Sequence, residues 1–365
     1  MGLKATNILF VLERPKGQGG MENVTSQVLS QLKSDGSFDV GLFLYDSAEK
    51  DDSNPWLDEH LWGVSAHFIS NPKISRFVHA LRLAWTICKR KPDHIIALNT
   101  IPCQISRWAI MMSCRKVKLF SWMHLPPKDR YRPQYLMLAD EHLAISREIG
   151  KQLIELGAPP SRVHVIFNPV KVSQTVIPRP RGAARFLFVG RVHFEEQKQL
   201  KDLFDALQQT AGNWSLDIVG DGDDRPRCEA YTRELGIADK ICWHGWQENT
   251  WDYIAANIKE TTSLVLTSNH EGFPLILLEA MARGIFCVSS DCVSGPSEII
   301  VEGINGHLYP VNDTHALTKF LQAQVDGEQL PGAQVIKESI AEFYEPRYME
   351  RIKGIIGQDN AIEKL

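Results

Sequence analysis

The residues that decide the fold are 269–284, Asn-His-Glu-Gly-Phe-Pro-Leu-Ile-Leu-Leu-Glu-Ala-Met-Ala-Arg-Gly. The apolar run 264–267 before them predicts a buried strand. Pro274 is expected as the first helical residue, because its fixed φ suits that position and its missing N–H is not needed there. Glu271 then lies in the strand-to-helix turn, Glu279 in the second helical turn, and Gly284 is placed to end the helix. Backbone N–H groups at Gly272 and Phe273 would face outward at a helix N-terminus, which favours an anion such as a diphosphate. Two carboxylates and an anion site would share one pocket. The plainer alternative is a surface helix with ordinary acidic residues.

Around this stretch strands and helices alternate. Strands are expected at 186–189, 216–219, 241–243, 264–267, 286–289 and 307–309, and each ends in a small or polar turn: Gly190-Arg191 with Gln197-Lys198 soon after, Gly220-Asp221-Gly222, His244-Gly245, Glu271-Gly272-Phe273-Pro274, and Ser294-Gly295-Pro296. Five such turns in register imply a pocket along the carboxyl edge of a parallel sheet. An earlier series is expected at 7–12, 39–45, 67–69, 94–98, 119–124, 142–145 and 163–168. Its first turn, Gly17-Gln18-Gly19-Gly20, opens a helix with Val24, Val28, Leu29 and Leu32 on one side. That turn is a natural approach point for a phosphate or sugar, and it is not the G-x-G-x-x-G of a dinucleotide cofactor site. His124 ends a strand and is followed by Leu125-Pro126-Pro127, which sends the chain into an extended loop at the sheet edge.

The fold class expected is therefore α/β, with two Rossmann-like, doubly wound parallel-sheet domains facing each other across a cleft. Residues 1–170 form the first domain, 171–184 a Pro- and Arg-rich linker, 185–340 the second domain, and 341–365 a C-terminal helix returning to the first. The helix expected at 74–90 carries Phe77, Leu81, Ala84, Trp85 and Cys88 on one face, with Arg76, His79, Arg82 and Lys89 around it. Either that stripe packs into the core or the basic side rests on anionic lipid.

Across 365 residues the net charge is −4, but residues 73–132 hold 13 Lys and Arg against Asp93 and Asp129. That asymmetry points to an anionic surface or substrate met by one part of the protein. No apolar run approaches the roughly 20 residues that cross a bilayer, and the apolar stretch 8–12 reads as a first strand, not a secretion signal. Seven cysteines without C-x-x-C spacing are expected as reduced thiols in the cytoplasm. Asp221-Gly222-Asp223-Asp224 could be a metal cluster or ordinary turn chemistry, the latter being preferred.

These residues together resemble glycosyltransferase family 4, the retaining transferases of GT-B architecture. The acid-x7-acid signature matches Glu271 and Glu279, and Gly19–Glu22, Gly190-Arg191 and the Asp221 turn match as well. Ser121-Trp122-x-His124, Gln197-Lys198, Trp246-Gln247 and Ser289-Ser290-Asp291-Cys292 are similar to the branch that transfers galactose to the lipopolysaccharide core. The resemblance implies that Arg191 and Lys198 hold the diphosphate of a UDP-sugar, that Glu279 binds the ribose, and that Glu271 with Gly272, Phe273 and Pro274 holds the donor sugar. Gly19, Gly20 and Gly190 would let the backbone approach the donor, and His124 would contact the sugar near its reacting carbon. One departure is Gln199, where many relatives have glycine after the lysine.

The partners that the resemblance implies are a UDP-sugar, UDP-galactose in this branch, a lipopolysaccharide core acceptor and the anionic inner face of the inner membrane, with no nucleic acid. No metal and no cofactor are expected, because fixed cations would already meet the charge growing on the leaving diphosphate. Alternatives left open are another surface-glycan transferase using UDP-glucose or UDP-N-acetylglucosamine, and a non-catalytic nucleotide-sugar-binding protein. A nicotinamide-dependent dehydrogenase is disfavoured by the absent glycine fingerprint.

Overall fold

The computed structural model describes residues 5–15, 20–45, 56–66 and 69–357. The chain divides into two compact units, Met1–Asn168 with Pro346–Leu365, and Pro169–Glu345.

The first unit is built on seven strands: β1 (Thr6–Glu13), β2 (Phe38–Tyr45), β3 (Leu61–Ser65), β4 (His94–Leu98), β5 (Lys118–Met123), β6 (Glu141–Ala144) and β7 (Val163–Val165). Their order is β3-β2-β1-β4-β5-β6-β7, and every neighbouring pair is parallel. Ile8, Leu9, Phe10 and Val11 are wholly buried, which is why β1 reads as a continuous apolar run instead of an alternating one. The strand expected at 67–69 falls partly on residues 67 and 68, outside the described residues. β3 is one of the two edge strands, and its central Gly63 weakens its sequence signal.

The helix Pro72–Arg90 is capped by Asn71, whose side chain accepts from the amides of Lys73 and Ile74 at 3.0 and 3.4 Å. Its expected core face is overturned. Ala80, Leu83, Ala84 and Ile87 are the buried apolar residues, while Phe77 (50% exposed), Leu81 (46%) and Trp85 (64%) point outward with Ile74 (53%). The sequence offers two apolar stripes, and small Ala80 and Ala84 let the backbone approach the sheet more closely than the bulky stripe would. His79, expected on the basic rim, is buried and bonded to Ser65 Oγ at 2.8 Å.

The second unit holds β8 (Ala184–Val189), β9 (Trp214–Val219), β10 (Ile241–Gly245), β11 (Ser263–Leu266), β12 (Phe286–Ser290) and β13 (Gly306–Tyr309), all parallel in the order β10-β9-β8-β11-β12-β13. Phe186, Phe188, Leu216, Ile218, Val265 and Val288 pack against helix residues that include Leu203, Leu207, Leu317 and Leu321. Residues 171–184 do not form a free linker. The Ile177 amide donates to Arg283 O at 3.0 Å, Pro178 O accepts from the Thr261 amide at 2.9 Å, and Arg179 donates to the carbonyls of Leu330 and Pro331. Buried Ile177 thus staples the segment to the second unit. Near the C-terminus, Ala341–Phe343 and Tyr344 still belong to that unit, and the helix Glu345–Gly357 carries the chain into the first, where Tyr348, Ile352 and Ile356 are buried and Arg351 donates to Ile166 O at 2.9 Å.

Both sheets reverse direction of growth once, at β1/β4 and at β8/β11. In open α/β sheets the crevice beyond such a reversal, at the strands' carboxyl ends, is where ligands bind.

Candidate active site

In the second unit the crevice lies beyond β8 and β11. β8 ends at Val189 and leads into Gly190 and Arg191; β11 ends at Leu266 and leads into Thr267, Ser268 and Glu271. The two turns meet through Lys198, whose Nζ donates to Glu271 Oε1 at 2.6 Å, with both side chains largely buried. Ser268 Oγ donates to the same oxygen at 2.6 Å, and Gln197 Nε2 lies 3.5 Å from Oε2. Thr267 Oγ1 donates to Lys198 O at 2.7 Å and so locks the two turns together. Two residues that sequence reasoning separated, one toward phosphate and one toward sugar, therefore form one ion pair. Ser268 was missed, since a serine at a strand end carries no signal of its own.

Arg191 sits beside this pair on the loop after Gly190. It is exposed and makes no hydrogen bond or ion pair among the described residues, so its five donors are available to an anion. Gly220 makes the neighbouring turn possible: at φ +142 its missing Cβ would lie 1.9 Å from Gly190 O. The turns after β8 and β9 thus pack backbone on backbone, extended by the Gly190 amide to Val219 O at 3.0 Å and the Val192 amide to Asp221 O at 3.0 Å. Gln199, the departure from glycine, nevertheless takes the left-handed conformation (φ 48, ψ 48) at the start of the helix Leu200–Gln209, and its side chain donates to Asn312 at 3.3 Å.

The helix after Glu271 spans Leu275–Met281, so Pro274 is its N-cap and not its first residue. Gly295 (φ +106) is confined against this turn, since a Cβ there would approach Pro274 Cδ to 2.7 Å. Phe273 is buried and packs on Phe343, and Gly272 O accepts from Ser294 Oγ at 2.6 Å. Glu279 is half-buried. Trp251 Nε1 donates to its Oε2 at 2.8 Å, and Arg283 lies over the Trp251 ring at 4.5 Å. Burial raises the Glu279 pKa, with the Trp251 N–H and the Arg283 charge opposing that rise. Trp251 escaped the sequence reading because its contact with Glu279 spans 28 residues.

The remaining predicted residues belong to the first unit. Gly20 is exposed at the start of the helix Gly20–Ser34, and Gly19 lies outside the described residues. His124 follows β5; its ring packs on Trp122 at 4.5 Å, its Nε2 is buried without a partner among the described residues, and burial lowers its pKa to about 3. At the β1/β4 reversal a pocket of about 420 Å³ is lined by Glu13, Arg14, Asn99, Thr100, Arg130 and Tyr131 among others. Arg14 and Arg130 put two guanidinium groups, and Glu13 one carboxylate, in its lining, a combination that sequence spacing did not reveal.

Asp221 and Asp224 serve the turn: Asp221 Oδ1 accepts from the Gly222 amide at 2.9 Å and Asp224 Oδ2 from the Phe194 amide at 2.9 Å. Among the described residues, the three groups placed to share a cation are Asp217, Cys242 and His244. Arg185 already donates to both Asp217 oxygens, at 2.6 and 3.1 Å, and His244 Nε2 lies 2.7 Å from Oδ1. A guanidinium already neutralises this carboxylate, so the cluster reads as a hydrogen-bonded network.

The profile described as Glycosyltransferase Family 4 matches residues 18–174, and that described as Glycosyl transferases group 1 matches residues 173–335. The chain is 38% identical over 351 residues to the lipopolysaccharide 1,6-galactosyltransferase of Escherichia coli (strain K12), covering 96% of this chain and 97% of the other. It superposes with TM-score 0.91, at 35% identity, on the apo form of the lipopolysaccharide outer core galactosyltransferase WaaB, over 97% of this chain and all of that one. The Anabaena protein HepE, solved with UDP and glucose, shares the fold at TM-score 0.76 and 18% identity, over 97% of this chain and 100% of its own. With two doubly wound parallel-sheet units of GT-B type and this identity over nearly its whole length, the chain belongs to the family 4 glycosyltransferases.

Proposed function

We propose that this glycosyltransferase moves galactose from UDP-galactose to a sugar of the lipopolysaccharide core, with retention of the donor's anomeric configuration. The observation that carries the reading is the pairing of Glu271 with Lys198 and Ser268 beside an unpaired Arg191 at the β8/β11 reversal. Departure of UDP places growing negative charge on the β-phosphate while the sugar becomes oxocarbenium-like. Arg191 and Lys198 meet that charge, Glu271 Oε2 accepts from a sugar hydroxyl, and Glu279 accepts from the ribose. Fixed cations then do the work a divalent ion would do, so turnover proceeds without added metal; loss of activity with EDTA, restored by Mn²⁺, contradicts this.

The first unit receives the acceptor. The pocket at the β1/β4 reversal, with Arg14 and Arg130 in its wall, suits an acceptor bearing anionic groups. Burial lowers the His124 pKa to about 3, so at physiological pH its ring is neutral and can offer a hydrogen bond without bringing a cation.

The outward face of the helix Pro72–Arg90 supports a peripheral position at an anionic membrane surface. Ile74, Phe77, Leu81 and Trp85 are exposed beside exposed Lys73, Arg82, Lys89 and Arg90, and Lys89 lies over the Trp85 ring at 5.0 Å. Apolar residues entering the interface with cations at the head groups is the pattern of surface binding. No helix among the described residues is long and apolar enough to cross a membrane.

The donor reading is tested by thermal shift with UDP, UDP-galactose, UDP-glucose, UDP-N-acetylglucosamine, GDP-mannose and NAD on wild type and Arg191→Ala. Stabilisation by the UDP ligands that is lost in the variant is expected. Stabilisation by NAD alone would overturn it. The surface reading is tested by charge reversal at Arg82, Lys89 and Arg90: binding to anionic vesicles should fall by well over tenfold, each charge contributing about 1 kcal/mol, and unchanged binding would contradict it.

A further inference from the structure

We infer that Trp251 is a positioning residue for the donor nucleotide, its indole N–H holding the Glu279 carboxylate so that the second oxygen is presented to the ribose hydroxyls. The inference rests on the reading of Glu279 as the ribose ligand. Trp251 Nε1 donates to Oε2 at 2.8 Å, and Oε1 has no partner among the described residues. Glu279 has three rotatable side-chain bonds, and a carboxylate bound at one oxygen has lost most of that freedom before a ligand arrives.

The choice of tryptophan is chemically specific. An indole N–H is a donor with no charge and no acceptor, so it fixes the carboxylate without neutralising it. A lysine or arginine in its place would compete for both oxygens and weaken the acceptor that a ribose hydroxyl needs.

Trp251 is itself held from several sides. Arg283, one turn beyond Glu279, lies over the indole face at 4.5 Å and donates to Glu279 O at 2.9 Å. The short helix Thr250–Tyr253 that carries Trp251 is tied to the sheet through His244, which lies 3.0 Å from Tyr253 OH and 2.7 Å from Asp217 Oδ1. Arg185 grips the same aspartate and donates to Ile258 O at 3.1 Å, beyond the helix. The Arg185–Asp217–His244–Tyr253 network thus anchors the segment that delivers the indole.

The test measures affinity for UDP and for UDP lacking both ribose hydroxyls, on wild type, Trp251→Phe and Glu279→Ala. Phenylalanine keeps an aromatic ring for Arg283 to cover and removes the donor together with the five-membered ring that carries it. Trp251→Phe should weaken UDP about tenfold, the scale of one hydrogen bond to a charged group, and weaken the dehydroxylated ligand less than about twofold. With UDP-galactose the KM should rise and kcat stay near the wild-type value. Glu279→Ala, measured with both ligands, tests the underlying reading: an equal loss with each would overturn the ribose role itself. If Glu279→Ala discriminates between the ligands while Trp251→Phe weakens both equally, or neither, the positioning role is wrong and the ribose role stands. Should the phenylalanine chain fail to fold, Trp251→Leu carries the same expectation.

Discussion

Replacing Lys198 by methionine removes the cation from a largely buried pair and leaves Glu271 with Ser268 Oγ at 2.6 Å and Gln197 at the limit of bonding, 3.5 Å. Stranding a fully buried charge costs about 3–5 kcal/mol, and the retained hydroxyl together with a carboxylate edge that still reaches water reduces this to about 2 kcal/mol. Glu271→Gln should cost less, about 1 kcal/mol, because the long stem of Lys198 lets its ammonium reach solvent and the amide still accepts from Ser268. The double variant should then lie near the glutamine variant, with a coupling of about 1–2 kcal/mol between the two positions. Urea unfolding of all four chains, followed by tryptophan fluorescence, measures that coupling. Galactose transfer should fall by about 10²–10³ in Lys198→Met, as expected for one fixed donor lost from a developing anion, and the double variant should not recover it. Coupling below about 0.5 kcal/mol would refute the claim that the pair is a structural unit. Transfer within about threefold of wild type in Lys198→Met would refute its role at the diphosphate.

Two further perturbations separate close alternatives. Gly220→Ala drives a methyl onto Gly190 O and should unfold the second unit or cost several kcal/mol, whereas Gly36→Ala, also at positive φ but with open space around it, should cost about 1 kcal/mol; equal losses in urea unfolding would contradict the packed-turn account. For His124 the folded pKa, about 3, lies below the ordinary value near 6.5, so the unfolded chain takes up the proton first and stability is lost as pH falls below about 6.5. At pH near 5 this amounts to at most about 2 kcal/mol, so His124→Asn should show a shallower loss of stability between roughly pH 7 and 5, and parallel curves would contradict the burial argument.

Most of the strand framework was legible because parallel strands covered on both faces must be apolar throughout, as Ile8–Leu12 and Phe186–Val189 are. The turns were legible for a related reason: glycines such as Gly190, Gly220 and Gly295 mark where backbones meet. What escaped were features decided by contact at long range. The two apolar stripes of the helix Pro72–Arg90 have similar periodicity, and only the sheet's preference for Ala80 and Ala84 over Phe77 and Trp85 settles which is inside. Residues 171–184 have a linker's composition, yet Ile177 and Arg179 find partners around residues 283 and 330. Glu271, Lys198, Arg191 and Glu279 could be named one by one, but the Lys198–Glu271 pair and the hold of Trp251 on Glu279 required the fold.

Galactose transfer and its stereochemistry are read together by incubating the protein with UDP-galactose and a lipopolysaccharide core lacking its galactose branch, then assigning the new linkage by nuclear magnetic resonance. Transfer of one galactose with the donor's anomeric configuration retained is expected, and its loss in Arg191→Ala. An inverted linkage, or transfer from UDP-N-acetylglucosamine and not from UDP-galactose, would contradict it.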